Sequence, residues 1–158
     1  MPKILDITKY PDELLRQTSK EIPLADLKKA EMKELLANMK HTMMKLDGAG
    51  LAAPQIGLNI RLIVVNDEQS GKIIFMINPK ITKKSWGQEI EDEGCLSVVD
   101  EKGKIIYGPV ARHKKVNCIY LDEHGEKKKI QAEKMLARII QHEIDHLDGI
   151  LFIDRLER

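Results

Sequence analysis

Charge of one sign, cysteine and long apolar runs are all scarce in this chain, and each scarcity removes a class of function. Lys and Arg number 26 against 25 Asp and Glu, a net charge of +1, so the molecule as a whole is not drawn to DNA or to an anionic membrane. Two cysteines, Cys95 and Cys118, do not make a disulfide framework. A free thiol suits the reducing cytoplasm, where it can persist and serve as a ligand. No apolar run approaches a membrane span, and the opening Met1-Pro2-Lys3-Ile4-Leu5-Asp6 puts charge where a secretory signal needs an apolar core. Repeats, low-complexity tracts and linkers are missing too. At 158 residues the chain is expected to form one domain, residues 1–158, burying about two-thirds of its unfolded surface around a single core.

What is present is concentrated in Gln141-His142-Glu143-Ile144-Asp145-His146. His-Glu-x-x-His on a helix sets two imidazoles four residues apart on one face with a carboxylate beside them. That arrangement can hold a divalent metal and deprotonate a water. At usual frequencies a chain of this length would contain the motif by accident only about 0.5% of the time. The context is helical, since Glu133 to Leu147 contains neither Gly nor Pro. Met135, Ile139, His142 and His146 fall on one stripe, widened by Leu136 and Ile140. A lone His in such an arc is ordinary core; a pair with Glu between them is not. In metzincin peptidases the pattern continues through Gly to a third His. Here Gly149 fits, but Phe152 stands where that His should be. Only 12 residues follow His146 (158 − 146), so the third ligand is expected upstream.

The rest of the chain reads as helices, then strands, then this last helix. A short helix is expected after Pro11, where Asp12-Glu13 suit a first turn. A longer one is expected from Asp26 to Leu46, with Met32, Leu35, Leu36, Met39 and Met43 on its apolar face and Gly48 just past its end. The pattern then turns β over Arg61 to Val65, Lys72 to Ile77 and Ile81 to Trp86. Val116 to Leu121 and Glu126 to Ala132 form a hairpin across Asp122-Glu123-His124-Gly125. This order gives an α+β fold with mainly antiparallel sheet packed around a buried C-terminal helix.

The residues alone leave the third ligand open among Cys95, Cys118, His41, His113, His124 and the carboxylates. His41 reads as a solvated helix face, His124 sits in a turn, and His113 stands among Arg112, Lys114 and Lys115. Cys118 reads as a small buried hydrophobe. Cys95 follows a strand in Glu93-Gly94-Cys95-Leu96-Ser97, where Gly94 permits a close backbone approach. An isolated Cys is nevertheless more often core than ligand.

Three segments together resemble peptide deformylase: Gly48-Ala49-Gly50-Leu51-Ala52-Ala53-Pro54-Gln55, then Glu93-Gly94-Cys95-Leu96-Ser97, then Gln141-His142-Glu143-Ile144-Asp145-His146-Leu147-Asp148-Gly149. Tyr10-Pro11-Asp12 and Leu151-Phe152-Ile153-Asp154 fit as well, so the likeness covers nearly the whole chain. It implies a cytoplasmic hydrolase that removes the formyl group from formyl-methionine of nascent polypeptides. It implies Cys95, His142 and His146 as metal ligands, Glu143 as the catalytic carboxylate, and Gln55 with the Leu96 N–H as donors to the oxyanion. One divalent metal is implied, Fe2+, with Zn2+, Ni2+ or Co2+ as substitutes. Gly50 and Gly94 are expected against the substrate, with Met135 and Ile139 lining a methionine pocket and Arg138 at its mouth. Arg112 is expected to pair with Asp145.

The resemblance also implies a ribosome contact, although the C-terminal helix that makes it in many relatives has no counterpart here. The segment Val98 to Ala111 is longer than in many relatives, and Ala111 stands where a Pro usually precedes the Arg. Two other readings compete. An HExxH peptidase leaves the Gln55 and Cys95 motifs unexplained. A closed structural zinc site using Cys95, Cys118, His142 and His146 leaves Glu143 without a purpose.

Overall fold

A computed structural model describes residues 1–158, and its organisation follows from β2 (Leu62–Asp67), the strand with the longest buried run. Leu62, Ile63, Val64 and Val65 are all buried, which in a strand means apolar cover on both faces. Leu62 and Val64 join a cluster with Met32, Leu36, Met39 and Met43 of helix α1 (Ala30–Lys45). Ile63 and Val65 point the other way, into a cluster with Ala137, Ile140, Ile144 and Leu147 of helix α2 (Lys134–Leu147). One sheet thus lies between two helices, and strand alternation alone sorts its side chains between them.

That sheet is antiparallel throughout. Its order is β1 (Gly50–Ala52), β2, β3 (Lys72–Lys84), β6 (Lys115–Leu121) and β7 (Lys127–Glu133). A second, two-stranded antiparallel sheet pairs β4 (Gln88–Glu93) with β5 (Gly108–His113). α2 touches both sheets, and every residue from Ala137 to Leu147 is buried. The expected α+β class and the buried C-terminal helix are therefore both present. The hairpin between β6 and β7 turns where expected, with Gly125 at φ 78° and Asp122 Oδ1 accepting from the His124 and Glu126 N–H groups.

Two boundaries differ from expectation. The helix expected from Asp26 begins only at Ala30. Leu24–Lys28 is a separate 3-10 turn, closed where Lys29 adopts an extended backbone and pairs its ammonium with Asp26. The two strands expected at Lys72–Ile77 and Ile81–Trp86 are one strand ending at Lys84. Asn78-Pro79 reads as a break, but it is a bulge in which β3 changes partner from β2 to β6. Asn78 takes φ 51°, and its amide bonds both the N–H and the carbonyl of Ile22. The turn after Pro11 is present as a 3-10 helix, Glu13–Arg16, capped by Asp12. The small strand β5 has no counterpart in the expected pattern.

Candidate active site

α2 enters the interior with His142 and His146 one turn apart, their ring centroids 5.0 Å from each other. The loop after β4 brings Cys95 to the same point, its Sγ 3.4 Å from His146 Nε2. One donor atom from each of Cys95, His142 and His146 lies within 4.8 Å of the others. Cys118 is elsewhere, packed in the apolar cluster between α2 and the large sheet, which removes the closed four-ligand zinc site.

Glu93 holds this geometry, and it went unassigned in the sequence. It ends β4, whose other residues are exposed, yet is itself buried. Its Oε1 accepts from Arg112 Nη2 at 2.9 Å and meets His142 Nδ1 at 2.8 Å. Its Oε2 accepts from Arg112 Nε at 2.9 Å and Arg138 Nη1 at 2.6 Å. With Nδ1 engaged, His142 has Nε2 left for a metal, and a carboxylate behind a ligating imidazole raises its basicity. Burial alone would raise the pKa of Glu93, but Arg112 and His142 outweigh it and hold the carboxyl well below the usual range. The signal was a lone buried-type charge inside the Cys95 motif, with nothing local to name its partners.

The expected Arg112–Asp145 pair is present, with Arg112 Nη1 donating to Asp145 Oδ2 at 2.6 Å. Asp145 has a second partner, since Arg155 donates to both of its oxygens at 2.6 and 3.1 Å. Arg138 lines the cavity but is buried rather than at a mouth. Its guanidinium is engaged by Glu93, the Val110 carbonyl and the Glu89 carbonyl. Its position is that of a brace on Glu93.

Glu143 faces the other way, toward β1. A Cβ built on Gly50 would stand 2.8 Å from both Glu143 Cγ and Oε2, so glycine there is needed by the carboxylate itself. Glu143 Oε1 has no partner in the protein. Burial, the largest influence, lifts its pKa to about 7, with His142 pulling the other way. A carboxyl poised there can accept and return a proton at neutral pH. Burial depresses the neighbouring imidazoles too. Contacts with Cys95, Glu143 and Glu93 outweigh it for His142, held at about 10. His146 falls well below its ordinary value, with the positive His142 and Arg112 adding to burial.

Gln55 lies in the 3-10 turn Ala53–Ile56. Its Oε1 accepts from the Ala52 N–H, and its Nε2 donates to Cys95 Sγ at 3.3 Å and Ser97 Oγ at 3.2 Å. The Leu96 backbone N–H donates to no protein acceptor. Both border a cavity of about 260 Å³ lined also by Gly50, Met135, Ile139 and Glu143. That is room for an amino-acid side chain such as that of methionine.

Gly94 borders the cavity and meets a packing need as well. A Cβ there would fall 2.6 Å from the Tyr107 ring and 2.9 Å from Ile105 Cγ2. Both side chains come from the long segment after Val98 and line the cavity. Nine of the ten other expected site residues also border the cavity directly, and the tenth, His146, completes the donor set behind it.

A family model described as polypeptide deformylase matches residues 4–158. The chain is 43% identical over 155 residues to a peptide deformylase of Halothermothrix orenii, covering 98% of this chain and 95% of the relative. Among solved structures it is similar to a peptide deformylase from Synechococcus elongatus in complex with actinonin, with a TM-score of 0.88 at 39% identity over 100% of this chain and 82% of that one. It is also similar to the Met-Ala-Ser-bound class I type b peptide deformylase from Acinetobacter baumannii, with a TM-score of 0.89 at 32% identity over 99% and 100% of the two chains.

Proposed function

The chain belongs to the polypeptide deformylase family, hydrolases that remove the N-terminal formyl group of new polypeptides, and we propose that residues 4–158 do so as one catalytic unit. In it, Cys95, His142 and His146 hold a ferrous ion and Glu143 moves the proton. The donor set fits a metal. A thiolate sulfur and two imidazoles are ligands for borderline cations such as iron(II), zinc, nickel or cobalt, and a buried carboxylate oxygen beside them lacks a protein partner. A divalent ion bound there supplies Lewis acidity, polarising a carbonyl and lowering the pKa of water.

Hydrolysis adds water across the formyl C–N bond and yields formate and a free amine. Glu143 takes a proton from the attacking water and returns it to the departing nitrogen, a task open to a buried carboxylate with one oxygen free of protein partners. The Leu96 N–H and the Gln55 amide donate to the carbonyl oxygen as it gains charge, and one such donor typically contributes about 3–4 kcal/mol. Met135 and Ile139 receive the methionine side chain, whose burial stabilises binding by roughly 2 kcal/mol. Arg138 acts behind them through Glu93. Gly50 passes the substrate close to Glu143, and Gly94 admits Ile105 and Tyr107 to the cavity wall.

Formyl-Met-Ala-Ser is the substrate we assign for assay, since a relative is known with Met-Ala-Ser bound. Such chains arise at the ribosome, so we place the enzyme in the cytoplasm beside it; no helix here is long and apolar enough to cross a membrane. The observation that carries this reading is the convergence of three donor atoms within 4.8 Å next to Glu143. Formate release should vanish with chelator in the absence of air and return furthest with ferrous ion. Turnover by protein shown to contain no metal would overturn the ligand assignment. Equal restoration by zinc would overturn the choice of iron.

A further inference from the structure

The only tryptophan, Trp86, is 101% exposed, although the backbone that presents it is firmly held. It lies in the turn between β3 and β4. Ser85 N–H donates to the Lys115 carbonyl at 2.9 Å, Lys114 N–H donates to the Gly87 carbonyl at 2.9 Å, and Ser85 Oγ donates to the Gly87 carbonyl at 3.0 Å. His113 Nδ1 meets the Ser85 carbonyl at 2.7 Å, and Lys115 N–H donates to Ser85 Oγ at 3.1 Å. A floppy loop would leave an indole in water at little consequence. A pinned turn holds this large apolar ring in one place, outside the core.

The same hydrogen bonds gather cations around it. Lys83 and Lys84 precede the turn, Lys114 and Lys115 face it from the junction of β5 and β6, and all four are exposed. Lys114 packs along Gly87, where an added Cβ would meet its Cδ at 3.4 Å. Beyond the turn, Lys83, Ser85, Lys115, Asn117 and Gln131 line one polar groove on the large sheet. The groove has one carboxylate, Glu133, 3.8 Å from Lys115, which leaves Lys83 free. The net charge of +1 therefore conceals a local cluster of positive charge.

We propose that the Trp86 turn and the Lys83–Lys115 groove form a docking surface for single-stranded RNA. The indole stacks on an unpaired base, the lysines meet phosphates, and the Asn117 and Gln131 amides reach base edges. Aromatic stacking beside a groove that offers lysines and amides is a way in which unpaired RNA is held. An anionic membrane would need more apolar surface than one ring flanked by Ser85, Gly87 and Gln88 can insert. This surface would hold a nascent-chain enzyme near RNA, but its chemistry does not depend on the deformylase reading.

Because Trp86 is the sole tryptophan, its fluorescence reports binding directly. Titrating the intact protein with a short oligouridylate at low salt should quench it. The logarithm of affinity should fall with the logarithm of salt at a slope of about −2, the value for roughly three phosphate contacts on a single strand. Anisotropy of labelled RNA should show Trp86→Ala binding about tenfold more weakly, with Trp86→Phe restoring most of the loss. Lys83→Glu with Lys115→Glu should flatten the salt slope. Formyl-peptide turnover should be unchanged in these variants, showing that they fold and that RNA docking is separate from the reaction. Absence of quenching in the wild type would overturn the proposal, as would equal affinity of Trp86→Ala. So would a response to vesicles of phosphatidylglycerol in place of RNA.

Discussion

Replacing Arg112 by Ala tests whether the buried charge network or the metal donors hold the site together. Its guanidinium makes three hydrogen bonds, two to Glu93 and one to Asp145, at 2.6 to 2.9 Å. Arg112 is 4% exposed and Glu93 6%, so water cannot replace what is lost. Breaking such a pair typically costs about 3–5 kcal/mol, because an uncompensated charge stays behind. Two partners soften the loss here: Glu93 keeps Arg138, and Asp145 keeps Arg155. The lower end is therefore expected, about 3 kcal/mol. For a domain of this size that lowers the melting temperature by roughly 6–12 °C. Arg112→Lys should recover little, since one ammonium cannot reproduce a planar fork serving two carboxylates. Thermal melts followed by circular dichroism, with metal content measured on the same samples, read both effects. A variant with unchanged melting temperature and metal content would refute the idea that Glu93 and Asp145 depend on Arg112.

Glu143→Ala should keep its metal and lose activity by about 10²–10⁴-fold or more, whereas His142→Ala and His146→Ala should lose both; metal loss in the Glu143 variant equal to theirs would make Glu143 a ligand. Gly50→Ala should displace the Glu143 carboxylate, because the new methyl would stand 2.8 Å from it. A misplacement of this order lowers kcat by about 10²-fold, and normal kcat in a folded variant would contradict the assigned role. The Cys118 thiol, pushed up to about 11 by burial, should resist iodoacetamide at pH 8 in the native protein; labelling there as fast as in urea would show that it is accessible. The Glu93 carboxyl is held well below its ordinary 4.5, so its stabilisation is present above about pH 4.5 and is lost as pH falls below that. Denaturant midpoints from pH 6 to 3 should therefore drop less in Glu93→Gln than in the wild type, and parallel curves would count against this linkage.

Much of the architecture was legible in the order of residues because it depends on short-range geometry. A helix from Glu133 to Leu147 follows from period and from the absence of Gly and Pro, and α2 forms over Lys134–Leu147. The spacing of His142 and His146 sets both imidazoles on one face whatever surrounds them, and Asp122 to Gly125 carries its own turn chemistry. Cys95 was a different matter, for no local pattern distinguishes a ligand thiol from a core one, and only likeness to a family singled it out. The role of Glu93 was decided by tertiary structure alone. Its partners lie 19, 45 and 49 residues away in the chain, and β4, read locally as Gln-Glu-Ile-Glu-Asp-Glu, looks like a solvated edge. The same reason turned Arg138 from a mouth residue into a brace and gave Asp145 its second partner, Arg155. Periodicity follows from the backbone's own repeat, whereas the partner of a buried charge depends on which distant strand or helix arrives beside it.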